Sequence, residues 1–150
     1  MDKLNKPMRE IIGTYNAASV ATVNADGTPS VSPKATFVIL DDACIAFGNI
    51  RSPGTVANLA KRPAIELNFI DVLTRRAVRV TGTGAVHAMD SQAGQRLMPA
   101  FQAQWADYLD SFESLVEISI TRAELILSPA YDRGQTAQEL GQINRAKLLG

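Results

Sequence analysis

The sequence predicts a mainly β fold, an antiparallel barrel with helices packed around it. Three observations carry that reading. Six segments have strand character, at about 20–23, 28–40, 43–48, 64–70, 76–87 and 114–127. Asp26-Gly27 sits between the first two and is a strong two-residue hairpin signal. Three or four helical segments are present, but they do not alternate regularly with the strands. That disfavours a doubly wound parallel sheet and favours a closed antiparallel barrel with flanking helices.

A chain of 150 residues fits one domain over 1–150, and no internal repeat divides it. Hydrophobic residues make up 46% and charged residues 20%, the profile of a globular protein with a core. Fifteen Lys and Arg balance fifteen Asp and Glu. A chain without net charge has no general electrostatic case for nucleic acid or an anionic membrane. No apolar run approaches the roughly 20 residues of a membrane span. The N-terminus, MDKLNKPMREII, carries acids at Asp2 and Glu10 and lacks the apolar core of a signal peptide. A cytoplasmic location is the expectation.

In chain order, residues 4–16 place Leu4, Met8, Ile11, Ile12 and Tyr15 at helical spacing, with Pro7 tolerated in a first turn. The first strand follows at Val20. The second arm, about Thr28 to Leu40, contains Pro29 and Pro33, which cannot donate to a ladder. That arm must run partly along an edge or be bulged. Asp41-Asp42 turns the chain into a third strand, Ala43 to Gly48. Ser52 and Pro53 read as the cap and first residue of a short helix ending before Pro63. Residues 64–70 alternate, with Ile65, Leu67 and Phe69 on one face. In the strand 76–87, Val78, Val80 and Val86 share parity with Gly82 and Gly84, and two glycines there suggest a bend or close backbone approach. Residues 90–110 read as the main helix, with Pro99 predicted to kink or split it. Strand 114–127 follows, then a more polar tail from 128 to 150 whose last fifteen residues read as helix.

Cys44 is the only cysteine, which excludes an intrachain disulfide and a cysteine metal cluster. Between Ala43 and Ile45 it reads as a small buried hydrophobe. His87 is the only histidine, so a histidine-rich metal site is excluded, and its place near a strand end points to a structural role.

The chemistry concentrates at Asn49–Asn58. A helix N-terminus carries unpaired N–H groups and partial positive charge, which suits a phosphate. Here the helix opens Arg51-Ser52-Pro53-Gly54-Thr55. Arg51 offers a bidentate charged contact, Ser52 and Thr55 offer hydroxyls, and Gly54 permits close approach to the backbone. The same residues also fit an ordinary Ser-capped helix with a solvated arginine. Lys34 either turns toward the same anion or stands in solvent.

The ordered run SVATVNADGTPSVSPKATFVI, CIAFGNIRSPGTVANLAKRPAIELNFID and VRVTGTGAV resembles the pyridoxamine 5′-phosphate oxidase-like, flavin-binding split-barrel family over roughly residues 10–127. No single piece is specific; their order and spacing together are. The resemblance implies a six-stranded antiparallel Greek-key split barrel and a homodimer with two flavin mononucleotides (FMN) in interface clefts. Ser32, Pro33 and Lys34 match the strand that touches the phosphate and ribityl chain. Phe47, Gly48 and Asn49 match the next strand along the cofactor. Arg51, Ser52, Gly54 and Thr55 match the phosphate turn, and Asn58 the position one helical turn further on. Trp105 or Tyr131 would be available to cover the flavin ring, although the spacing of Trp105 also reads as core packing.

Two departures bear on function. The Ser-Arg-Lys of true pyridoxamine phosphate oxidases reads Ser52-Pro53-Gly54 here, and their C-terminal Arg/His-rich segment has no counterpart in this tail. The general stress protein and small FMN-binding branches look closer. No Ser–His–Asp set, metal triad or paired-carboxylate site is evident. The resemblance implies hydride or electron transfer at a flavin, on a small molecule or from NAD(P)H. A non-catalytic FMN carrier, or the same barrel holding a deazaflavin or haem, are the alternatives.

Overall fold

The computed structural model describes residues 3–150; Met1 and Asp2, at the start of the amphipathic N-terminus, lie outside the described residues. The chain forms α1 (Lys6–Thr14), β1 (Ala18–Val23), β2 (Pro29–Lys34), β3 (Phe37–Asp41), β4 (Cys44–Asn49), α2 (Pro53–Lys61), β5 (Ala64–Asp71), β6 (Arg76–Ala88), α3 (Gln92–Trp105), β7 (Ser114–Leu127) and α4 (Ala137–Leu149). Short 3-10 segments follow α3, at Ala106–Ser111, and β7, at Pro129–Arg133.

Seven strands replace the six expected, and one cause accounts for the difference. The arm 28–40 breaks at Ala35 and Thr36 into β2 and β3. The sheet order is β2-β1-β5-β6-β7-β4-β3, so the two halves of that arm lie at opposite edges. Three Cα–Cα steps from Lys34 to Phe37 span at most about 11 Å. The sheet must therefore curl until its edges meet, which makes it a barrel split along the β2/β3 seam. Pro29 and Pro33 sit on edge strand β2, where a missing N–H is tolerated.

Inside the barrel, Val20, Phe37, Ile45, Phe47, Leu67, Phe69, Val78, Val80, Val116 and Ile118 are buried, and Met8, Ile11 and Ile12 of α1 close one end. Phe37 packs tilted against Phe47 and edge-on against Phe69, at centroid distances of 5.3 and 4.8 Å. The opposite parity of β3, β4 and β7 buries Val38, Ala46 and Leu115 beneath Leu97 and Phe101 of α3, with Phe112. Hence one strand pattern serves two cores, one on each face.

The helices start where side chains supply acceptors. Asn5 caps α1 through Met8 N at 3.1 Å, Ser91 caps α3 through Gly94 N at 3.0 Å, and Thr136 caps α4 through Glu139 N at 3.2 Å. Helix α3 runs through Pro99 without a break, so the proline does not split it. The proline is exposed there, so its lost hydrogen bond falls on the solvent side.

Gly82 bears out the expected close approach. A Cβ at Gly82 would lie 2.1 Å from the Ser119 carbonyl oxygen, where the β6/β7 register shifts. Gly84 instead makes room for α2, since its Cβ would meet the Leu59 side chain at 3.2 Å.

Candidate phosphate-binding site

Helix α2 packs against β1 and β6. Its Asn58 donates to Thr22 Oγ1 and Asn24 Oδ1, each at 3.0 Å, and accepts from Arg62 at 3.2 Å. Arg62 in turn donates to the Val23 carbonyl at 2.8 Å. These bonds tie the middle and end of α2 to β1, and they occupy the Asn58 side chain.

The start of the helix is different. Ser52 holds the cap position, but with φ −142° and ψ 56° its side chain makes no capping bond. The expected Ser52 hydroxyl cap is thus absent, because the residue is not in the extended conformation that aims the hydroxyl at the first turn. Its carbonyl still accepts from Val56 N at 3.0 Å. The N–H groups of Gly54 and Thr55 precede the first intrahelical donor and have no helix acceptor. Nothing lies within 4 Å of a Cβ built on Gly54, so this backbone is open to close approach.

Strand β2 supplies the facing wall. Lys34, Ser32 and Ser30 pair with Ala18, Val20 and Thr22, whose side chains are buried. Directly paired residues share a face, so Ser30, Ser32 and Lys34 turn inward toward α2, and Pro29, Val31 and Pro33 turn out. Ser32 Oγ lies 3.4 Å from Thr55 Oγ1, which joins the strand to the first turn of the helix. Lys34 stands two residues beyond Ser32 on the same face, about 6.6 Å along the strand. It is partly buried, and desolvation pushes its pKa below that of a free lysine. Among the described residues neither Lys34 nor Arg51 takes part in an ion pair. A partly desolvated ammonium without a carboxylate gains from an anion that neutralises it.

The remaining sequence candidates lie in the barrel wall or make bonds elsewhere. The Phe47 ring is fully buried in the barrel. Gly48 leaves space for Phe112, whose ring would lie 2.4 Å from a Cβ at that position. Asn49 donates to Ser114 Oγ at 3.0 Å, while its Oδ1 is buried with no partner. Tyr131 donates its hydroxyl to the Thr74 carbonyl at 2.6 Å, and Trp105 donates Nε1 to the Phe37 carbonyl at 3.0 Å. Two residues at the seam take roles the sequence does not show: Thr36, with φ 60°, and Asn16, which reads in the sequence only as a sign that the first helix stops and here accepts from Phe37 N at 2.7 Å. Nothing in the sequence links Asn16 to a residue 21 positions away.

A second polar cluster lies on the outer face of β7. Glu117 accepts from Arg96 and His87 at 2.9 Å each, and Cys44 Sγ is 3.5 Å away. Desolvation would raise the Glu117 pKa, but the bonds from Arg96 and His87 outweigh it and hold the carboxyl below its ordinary value. Burial, then the Glu117 charge, pushes the Cys44 thiol up to about 12. Among the described residues no three His, Cys, Asp or Glu side chains are grouped to hold a metal.

The family profile described as pyridoxamine 5′-phosphate oxidase matches residues 4–131. The chain belongs to the pyridoxamine 5′-phosphate oxidase family. Solved structures repeat its fold. HupZ of Group A Streptococcus is 22% identical, covering 83% of this chain and 95% of its own, with a TM-score of 0.68. A Lactobacillus delbrueckii protein provisionally described as a pyridoxamine 5′-phosphate oxidase is 26% identical over 83% of this chain and 95% of its own, with a TM-score of 0.67. An FMN-binding protein from Syntrophomonas wolfei is 11% identical over 81% of this chain and 84% of its own, with a TM-score of 0.65. The pyridoxamine 5′-phosphate oxidase fold also occurs in an F420 reductase and in HutZ, a haem storage protein of Vibrio cholerae. Among curated proteins none matches the chain. No helix of the described residues is long and apolar enough to cross a membrane.

Proposed function

We propose that the protein is an FMN-binding flavoprotein that works as a homodimer and transfers hydride or electrons to or from a small molecule. The observation that carries this is the set of donors between β2 and the first turn of α2, in which neither cation has an ion-pair partner among the described residues. Two open N–H groups, the hydroxyls of Ser32, Ser52 and Thr55, and the unpaired cations Lys34 and Arg51 fit a phosphate dianion. Family membership and an FMN-binding relative of the same fold support flavin as the group that brings the phosphate.

When bound, the flavin ring supplies the redox chemistry. The chain contributes binding and orientation. The first turn of α2 holds the phosphate, Lys34 and Arg51 neutralise it, and Gly54 keeps the backbone approachable. His87 is engaged by Glu117, which leaves no second histidine for proton transfer or haem ligation. This favours flavin over haem. A deazaflavin remains the second reading, because its phosphate would use the same grip.

The visible spectrum of the purified protein tests flavin content. Titration with FMN and riboflavin then tests the grip: FMN is expected to bind more tightly, and equal affinities would sink the phosphate site. Anaerobic mixing with NADH or NADPH separates enzyme from carrier, since an enzyme bleaches its flavin band. Light scattering checks the dimer, and a monomer with tight FMN contradicts it.

A further inference from the structure

The break between β2 and β3 holds one of the two non-glycine residues with positive φ among the described residues. Thr36 adopts φ 60° there, a region that β-branched residues rarely enter. Such a conformation persists only where its surroundings impose it. The Thr36 hydroxyl accepts from Gly48 N and lies equally close, 3.3 Å, to the Gly48 carbonyl oxygen.

The next residue is held more tightly still. Phe37 opens β3 opposite Phe47, yet both of its peptide groups are bonded to side chains on its other edge. Asn16, just past the end of α1, accepts from Phe37 N at 2.7 Å through Oδ1. Its Nδ2 lies 3.2 Å from the Phe37 carbonyl and 3.2 Å from the Ile12 carbonyl. Trp105, the last residue of α3, donates Nε1 to the same Phe37 carbonyl at 3.0 Å. Two helices thus supply the partners that a continuing strand would have supplied.

What this clamp fixes is the point where β2 leaves β3. Lys34 is three residues before Phe37, and Ser32 is two residues further back on the same inward face. Only Ala35 and Thr36 separate Lys34 from Phe37, so a displacement of Phe37 is carried back to the end of β2, at Lys34. We propose that Asn16 and Trp105 are positioning residues for phosphate selectivity, acting through Lys34. The inference rests on the phosphate grip proposed above.

The test compares FMN with riboflavin affinity in the full chain, by titration, for wild type, Asn16→Ala and Trp105→Phe. Each variant loses neutral hydrogen bonds, so the FMN-to-riboflavin preference should fall about three- to tenfold, with riboflavin affinity unchanged. In a Lys34→Ala background the same substitutions should lower the preference by less than about twofold, which purely structural loosening would not produce. An unchanged preference in folded variants, or an undiminished drop in the Lys34→Ala background, overturns the positioning role alone. A wild-type preference of one overturns the phosphate grip and the positioning role with it. If Asn16→Ala fails to fold, Trp105→Phe decides, since it keeps an aromatic ring in the cluster beneath α3.

Discussion

Two polar regions of this barrel are built from similar residue types and differ in what they leave over. Around Glu117 the groups answer one another: an arginine, a histidine and a thiol converge on one carboxylate. At the first turn of α2 only the hydroxyls of Ser32 and Thr55 answer one another. β2 faces the first turn of α2, and no carboxylate pairs with either Lys34 or Arg51 among the described residues. A cluster that satisfies itself stabilises the fold. A cluster that leaves cations without partners is suited to an anion.

The sharpest way to break this comparison is to remove a donor. Lys34→Ala and Arg51→Ala should each weaken FMN binding ten- to hundredfold, corresponding to about 1.5–3 kcal/mol for a charge-assisted bond. Riboflavin affinity and the urea midpoint without ligand should stay near wild type, because neither cation has an ion-pair partner to lose. Loss of stability in both variants would show that the cations are structural.

Glu117→Gln should do the reverse. It strips the charge that holds Arg96 and His87, at a cost of about 1–2 kcal/mol for partly exposed partners. Urea unfolding should show that loss, while the FMN-to-riboflavin preference stays unchanged.

Acid extends the contrast. Glu117 and Asp71 both have lowered folded pKa values; for Asp71, hydrogen bonds from Thr74, Tyr15 and Leu73 outweigh desolvation. Their unfolded values are about 4.3 and 3.9. A depressed folded pKa contributes stability in full above the unfolded value and loses it as pH falls through the folded one. Stability should therefore decline below about pH 5, and Glu117→Gln should flatten that decline. A decline as steep as wild type in the variant would remove Glu117 from the account.

The smallest effect concerns Cys44. With its thiol pushed up to about 12, only about one part in ten thousand is thiolate at pH 8. Alkylation of the folded protein by iodoacetamide should be negligible over an hour and rapid in urea. Fast labelling of the folded state would show that the Glu117 cluster opens.

Much of the fold was legible in the chain. Alternation in 64–70 and 114–127 shows which side chains go inward, and Asp26-Gly27 places the first hairpin, because these signals are local. The split of the arm 28–40 was legible only as a problem raised by Pro29 and Pro33. Its solution, one half at each edge, depends on how the whole sheet curls. Pro99 does not split its helix for a related reason: it lies on the exposed side, where water can take up the carbonyl it leaves without a donor.

The candidate site divides in the same way. Residue types at 51–55, with Pro53 setting the helix start, fix by themselves that a helix N-terminus rich in donors exists there. Whether those donors are already used is a tertiary question. Only packing shows that the Ser52 side chain does not cap its helix, that Asn58 is committed to Thr22 and Asn24, and that Ser32 meets Thr55 while Lys34 shares its inward face. Sequence sets each residue's chemistry and its parity along a strand. The partners that consume or spare that chemistry come from strands and helices distant in the chain, so the folded structure alone decides which donors remain for a phosphate.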